Sequence, residues 1–307
     1  MKILNKGIID IGTNSTRLLI INLDEGTPFK RIYKDLRVTR IGRGLADSGR
    51  ISEAAIARTT EALKTYLDIC KSYNCDDVYC FGTAALRESK NQHEVVETIH
   101  QKLGLKIDVI SGTQEAQYGF LGASASFEQP IRILDVGGGS TEVVNGVGTH
   151  MGPMVSMNMG CVRFTEAYLH TDPPTAAQLQ ELKRAVAQTL QENSGVVKDQ
   201  TERQLVSIGG TATTIATMLM QLKDYDGDAI HLKVVKKQEI VALIEEMKGL
   251  PLQSRKERIG LDPTRADIIL AGLVITLETM TAFHGQEMVV CDWDNLEGAA
   301  VARYINK

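Results

Sequence analysis

The sequence predicts an α/β protein of two related domains, each offering a phosphate-binding hairpin to a shared cleft. Three observations carry this. A glycine-rich motif with flanking acids occurs twice, once near the N-terminus and once near the middle of the chain. Segments of strand and helix type alternate after the first copy, which is the pattern of layered α/β folds. The chain has 307 residues, 43% of them apolar, enough for about two domains with real cores.

The clearer copy of the motif lies in Ile131 to Val144, IRILDVGGGSTEVV. An apolar run of strand type ends in Asp135, three glycines follow, and a second β-rich run begins after Ser140, Thr141 and Glu142. The pattern reads as a hairpin whose tip is almost bare backbone. Gly137, Gly138 and Gly139 let peptide N–H groups approach an anion with no Cβ in the way. Ser140 and Thr141 add hydroxyl donors. Asp135 and Glu142 are hard oxygen ligands of the kind that suits Mg²⁺. The N-terminal copy, Asp10-Ile11-Gly12-Thr13-Asn14-Ser15-Thr16-Arg17, matches at Asp, Gly, Ser and Thr. Either loop alone could be a plain structural turn. Their recurrence with matching acids and hydroxyls favours paired phosphate sites.

The net charge of −4 argues against a protein that coats polyanions. Arg37, Arg40, Arg43 and Arg50 nevertheless cluster, so either a local basic surface or an ordinary solvated loop is expected there. The five cysteines, Cys70, Cys75, Cys80, Cys161 and Cys291, show no CxxC spacing and an odd count. They read as buried thiols rather than a disulfide framework or zinc site. Residues 1–6 lead straight into a strand, so no signal peptide is expected. No apolar run is long enough for a membrane span. The expected setting is cytoplasmic, with no nucleic-acid or membrane partner.

Along the chain, residues 7–12 and 17–23 form the first hairpin and a third strand falls near Ile32–Lys34, followed by a loop from Leu36 to Leu45. Ser52 caps a helix carrying Ile56, Thr59, Leu63, Leu67 and Cys70. Val78–Phe81 is a strand. Asn91 and Glu94 read as a capping box for a helix that stops at Gly104. Leu105–Ile110 is again a strand, and Ser111 opens a helix with Glu115 in its first turn. A glutamate there suits the helix dipole; it also suits a general base at the end of a strand. The first domain is residues 1–125, joined by a C-terminal helix at 296–307, and the second is residues 126–295. In the second, Gly152–Asn158 is a strand, Thr175 and Gln178 form a capping box, Gln204–Ile208 is a strand, and Ala266–Phe283 is a long apolar helix. Gly209, Gly210 and Thr211 turn a strand into a helix, a ready anion site.

Five segments in fixed order resemble the exopolyphosphatase / guanosine pentaphosphate phosphohydrolase family. They are Asp10–Ser15, Ser111-Gly112-Thr113-Gln114-Glu115-Ala116, Asp135–Glu142, Ser207–Thr214, and Arg265-Ala266-Asp267 with Gly272. The resemblance covers nearly the whole chain and implies the actin–hexokinase–sugar kinase fold, two similar ribonuclease H-like domains around a central cleft. It implies Mg²⁺-dependent release of terminal phosphate from polyphosphate, or from the 5′ end of guanosine pentaphosphate. It also implies that Glu115 activates water while Asp135 and Glu142 help hold metal and phosphate. A chain ending at Lys307 resembles the short, two-domain form, and a homodimer is plausible by the same resemblance. Leu296 and Gln117 depart from the family pattern, standing where arginine is common.

Arg17, Arg87 and Arg163 each follow a motif turn and read as phosphate contacts, since a planar guanidinium grips phosphate bidentately. Surface ion pairs are the plain alternative. Asp10 reads as a metal ligand through water or as a turn acceptor, the former favoured. A kinase of the same fold would use an aspartate base and lack the Ser-Gly-x-x-Glu-Ala segment. A non-catalytic polyphosphate or nucleotide sensor is the remaining reading, opposed by intact Glu115, Asp135 and Glu142.

Overall fold

The computed structural model describes residues 4–24, 28–193, 195 and 201–305. The chain divides into two compact units, one of residues 1–122 with 295–307 and one of residues 123–294.

In the first unit, strands β1 (Asn5–Ile11), β2 (Ser15–Asn22), β3 (Lys30–Val38), β4 (Cys75–Gly82) and β5 (Asp108–Val109) form one sheet in the order β3-β2-β1-β4-β5. The first hairpin and β3 run antiparallel, and β1, β4 and β5 are parallel. Ile8 and Ile9 on β1, and Leu18 to Ile21 on β2, are fully buried on both faces of the sheet. That two-sided burial explains their unbroken apolar runs. The helix Glu53–Ser72 packs on the sheet and begins where the sequence places it, the Ser52 hydroxyl accepting from Ala55 N at 3.3 Å.

Three expectations in this unit are corrected. β3 runs on through Leu36, Arg37 and Val38 instead of ending in a loop, because β2 supplies a ladder partner down to the Ser15–Val38 pair. The strand expected over Leu105–Ile110 shrinks to two residues, paired only with the end of β4. Asn91 makes no capping box. Its side chain clamps Ile51 instead, accepting from Ile51 N and donating to Ile51 O, both at 2.9 Å, and Glu94 pairs with Arg50. A loop needing both of its peptide groups satisfied won over a helix end that water can satisfy.

The second unit holds β6 (Ile131–Val136), β7 (Thr141–Val147), β8 (His150–Met157), β9 (Gln204–Ile208), β10 (Lys233–Lys236) and β11 (Glu287–Val290) in the order β10-β11-β9-β6-β7-β8. From β8 to β11 this repeats the first sheet strand for strand, with β10 added antiparallel at the edge. The sequence reading missed β10, whose four residues carry two lysines at its ends. The apolar helix Ile269–Ala282 lies at the centre of this core. It starts later than expected, because Pro263–Arg265 form a 3₁₀ turn before it. The Thr175–Gln178 capping box is present.

The last helix, Asn295–Ala300, returns to the first unit. A Cβ at Gly298 would overlap the Tyr118 carbonyl, so only glycine allows that packing. Leu296 is a fully buried core residue, and buried Glu297 beside it is met by Lys34 at 3.2 Å and Arg31 at 3.4 Å. Gln117 is exposed. None of the five cysteines forms a disulfide; four are buried and Cys75 is half-buried. Among the described residues no helix is long and apolar enough to cross a membrane.

Candidate active site

Each unit builds its site around the tip of its first hairpin. The two tips have the same construction. Gly12 N donates to Ser15 O at 3.0 Å, and Gly137 N to Ser140 O at 3.0 Å. Each tip is then braced from outside. In the first unit Arg40 N donates to Asn14 O at 2.8 Å and Gly42 N to Thr13 O at 3.0 Å. In the second, the start of the helix Cys161–Tyr168 does the same work: Cys161 N donates to Gly137 O and Val162 N to Gly138 O, both at 2.9 Å. Both braces need glycine to come close. A Cβ on Gly42 would overlap Thr13 Cγ2, and one on Gly160 would overlap Gly138 O.

The braces satisfy the tip carbonyls. The amides of Thr13, Asn14, Gly138 and Gly139 find no hydrogen-bond partner among the described residues. Successive unpaired amides on a tight turn form a concavity for an anion. The sequence anticipated the glycines but not the braces, which depend on contacts between distant segments.

The hydroxyl donors divide. Thr141 Oγ1 donates to Met159 O, and Thr211 Oγ1 donates to Val136 O at 2.7 Å. Both lie inside the protein and hold the hairpin and the following helix in place, so neither hydroxyl proton is available to a phosphate as expected. Ser15 and Ser140 at the tips are buried without such a carbonyl contact; Ser15 Oγ accepts from Asn14 Nδ2 at 3.2 Å.

The charged groups of the first unit converge. Arg17 donates to Asp10 Oδ2 from Nε at 3.1 Å and also from Nη2. Their strand positions face each other across the ladder. Glu115, only 7% exposed, sits in the first turn of the helix Gly112–Ser124. Arg87 donates from Nη1 to Glu115 Oε2 at 3.0 Å and to Ile110 O at 3.0 Å. Burial pushes the Glu115 carboxyl up to about 7; Arg87 and Arg17 pull it down, while Asp10 pushes it further up. The structure thus gathers Asp10, Arg17, Arg87 and Glu115, and gives Arg17 and Arg87 a carboxylate partner each.

In the second unit Asp135 and Glu142 occupy facing positions across the β6–β7 ladder. Both are buried, and Ser156 Oγ donates to Glu142 Oε1 at 2.6 Å. Where the first hairpin opposes Asp10 with an arginine, the second opposes Asp135 with another acid. Arg163 Nε donates to Gly139 O at 2.9 Å, which fixes its guanidinium at the loop. Gly209, at φ 79°, sits against Asp135 Oδ1, where a Cβ would collide. A Cβ on Gly210 would lie 2.5 Å from Nη1 of the Arg265 guanidinium. Arg265 is 8% exposed, its guanidinium has no hydrogen bond or ion pair among the described residues, and Nε is buried without an acceptor. An unpaired buried guanidinium at the N-terminus of the helix Gly209–Met220 is suited to an anion. The sequence showed Arg265 within a motif but gave it no role; only the fold brings it beside Gly210.

Two sheets of one strand order, each carrying a phosphate-type hairpin, have the architecture of a phosphoryl-transfer enzyme of the actin-like class. The model of the Ppx/GppA phosphatase family matches residues 19–304, and the chain belongs to that family. The chain is 31% identical over 310 residues to exopolyphosphatase 2 of Mycobacterium tuberculosis, spanning 96% of this chain and 97% of that protein. It is 33% identical over 315 residues to a bifunctional 3-dehydroquinate synthase/phosphatase of Fusobacterium nucleatum, of which it spans 46%. Among solved structures, the Ppx/GppA family member of Aquifex aeolicus superposes with a TM-score of 0.81 at 30% identity, covering 99% of this chain and 98% of the other. The chain is a hydrolase of phosphoanhydride bonds with the actin-like fold.

Proposed function

We propose that the protein releases terminal orthophosphate from inorganic polyphosphate, with Glu115 as the general base. The observation that carries this is the Glu115 carboxyl itself: buried, held by Arg87, and poised near pH 7. A base works best when its pKa lies near the working pH. Its likeness to an exopolyphosphatase over almost the whole of both chains supports the substrate class. Guanosine pentaphosphate is the second reading. The Arg265 guanidinium, without a hydrogen bond or ion pair among the described residues, favours it, offering an extra anion contact of the kind a branched polyphosphate would use.

In this reading the tip amides of each hairpin bind phosphate oxygens. Arg163 and Arg265 add charge, and the amides around Gly209 and Gly210 line the phosphate path. Glu115 takes the proton of the attacking water, and Arg87 keeps its carboxylate aimed. Charge spreads over the equatorial oxygens in the transition state, so positioned donors are the main source of rate. Asp135 and Glu142, two buried carboxylates at facing positions, are an oxygen-only donor set that fits Mg²⁺. Among the described residues no third acid joins them, so water and phosphate oxygens would have to complete the ion's shell. When bound, Mg²⁺ would neutralise charge on the transferring phosphoryl group. Asp10 has its Oδ2 engaged by Arg17, and in this reading it would act on a metal through water.

The test is phosphate release by purified protein with Mg²⁺ from tripolyphosphate, long-chain polyphosphate and guanosine pentaphosphate, for wild type and Glu115→Gln. Release from polyphosphate that falls by ~10²–10⁴-fold in the variant, with substrate binding retained, is expected. Preferred release from guanosine pentaphosphate would select the second reading. Equal rates in both proteins would remove Glu115 from the chemistry.

A further inference from the structure

The turn between the helix Glu53–Ser72 and β4 sets two cysteines against each other. Tyr73 caps the helix, its N–H donating to Ile69 O at 3.0 Å. Asn74 follows with left-handed backbone at φ 54°, and its N–H donates to Lys71 O at 3.0 Å. This closure is of the Schellman type, in which the side chain three residues before the cap meets the one two residues after it. Those residues are Cys70 and Cys75. The sheet holds the same turn: Asn5 Nδ2 donates to Tyr73 O at 2.7 Å, and Asn5 faces Cys75 across the β1–β4 ladder.

The two thiols differ in access and in charge. Cys70 is buried, its Sγ so close to β1 that a Cβ on Gly7 would lie 2.7 Å from it. Cys75 is half-buried. Cys70 donates a hydrogen bond to Cys75, which holds the Cys75 thiol below its usual range; Lys6 helps, while burial and Asp76 oppose. The same bond, with burial, pushes the Cys70 thiol up. Cys75 is therefore the thiolate and Cys70 the neighbour that carries the proton. Cys80 and Cys161 are buried, and burial pushes both of them up.

We propose that Cys70 and Cys75 are a reversible, peroxide-reactive pair, in which exposed-side Cys75 attacks and buried Cys70 resolves. The Cys75 thiolate attacks one oxygen of hydrogen peroxide. The O–O bond breaks and an S–O bond forms. The sulfur gives two electrons to the leaving oxygen, which takes the proton released by the thiol and departs as water. Cys70 Sγ then attacks the sulfenic sulfur. The S–S bond forms, the S–O bond breaks, and hydroxide leaves with the Cys70 proton as a second water. Two thiols and one peroxide thus give one disulfide and two waters, and a dithiol reductant restores the thiols. The bond spares Cys75 the irreversible sulfinic and sulfonic steps. Neither thiol belongs to the phosphate site, so the reaction does not depend on the phosphatase reading.

The experiment treats the full chain with hydrogen peroxide, blocks remaining thiols, unfolds the protein and maps its peptides. Trypsin cuts after Lys64, Lys71 and Arg87, so Cys70 falls in peptide 65–71 and Cys75 in peptide 72–87 with Cys80. These two peptides are expected to become linked, with the link removed by dithiothreitol, as titratable thiols fall from five to three by loss of the pair. A second digestion before Asp76 separates Cys75 from Cys80 in the wild-type protein, so the assignment needs no variant to fold. In Cys70→Ser, dimedone should trap a sulfenic acid at Cys75. Linkage should form about tenfold faster in the folded protein than in urea, because the turn holds the thiols together. Five thiols surviving peroxide, a link that maps to Cys80, or equal rates in the folded and unfolded chain would overturn the proposal.

Discussion

The two hairpins share a backbone and differ in one facing pair. At the first tip Asp10 is opposed by Arg17; at the second Asp135 is opposed by Glu142. The strand order, the Gly-to-Ser tip bond and the glycine brace are alike. One exchange therefore turns a nearly neutral carboxylate–guanidinium pair into a pair of buried acids. In the first arrangement a guanidinium faces the carboxylate, whereas the second sets two acids at facing positions, the pair proposed above for Mg²⁺.

Exchanging the pair is the strongest way to break that contrast. Glu142→Arg should give the second tip the first tip's arrangement and reduce turnover by more than about a hundredfold, with Mg²⁺ no longer stimulating release. Phosphate-release assays across a Mg²⁺ titration, with circular dichroism to verify folding, would check this. A variant still stimulated by Mg²⁺ would show that the Asp135–Glu142 pair is not the cation site. Arg17→Ala should act less severely, lowering kcat by roughly tenfold through loss of one charge-assisted contact. Because Arg17 and Arg87 lower the Glu115 pKa, removing Arg17 should also move the midpoint of the pH–rate profile upward. A midpoint that stays put would separate Arg17 from the Glu115 cluster. Thr141→Val should have the smallest effect. It removes the hydroxyl that donates to Met159 O and should cost about 1 kcal/mol of stability, read by chemical denaturation, with kcat little changed. A large loss of kcat at unchanged stability would return Thr141 to the phosphate contacts.

Much of this was legible in the sequence because it is local. The paired motifs, the Ser52 cap and the Thr175–Gln178 box are set by residues a few positions apart, and the structure keeps them. What failed was set by distant segments. Asn91 looks like a helix cap but serves the peptide groups of Ile51. Leu36 to Val38 look like a loop until β2 supplies their ladder. The same limit holds at the site. The acids, glycines and arginines could be read, but not that Arg17 and Arg87 are each met by a carboxylate. Nor could sequence spacing show that Thr141 and Thr211 face backbone carbonyls. Arg265 has no local signature of its role, since Gly210 and Arg265 meet only through the packing of two helical segments.

The measurement that tests the account most directly is the pH dependence of kcat for phosphate release by the wild-type protein. Glu115 must be ionised to accept a proton, and burial holds its carboxyl near 7. The rate should therefore be low in acid, rise as a single ionisation with a midpoint near 7, and level off above it. A profile flat from about pH 5.5 to about pH 8.5, or one that falls across this range, would contradict the assignment of a buried, neutral-range glutamate as the base.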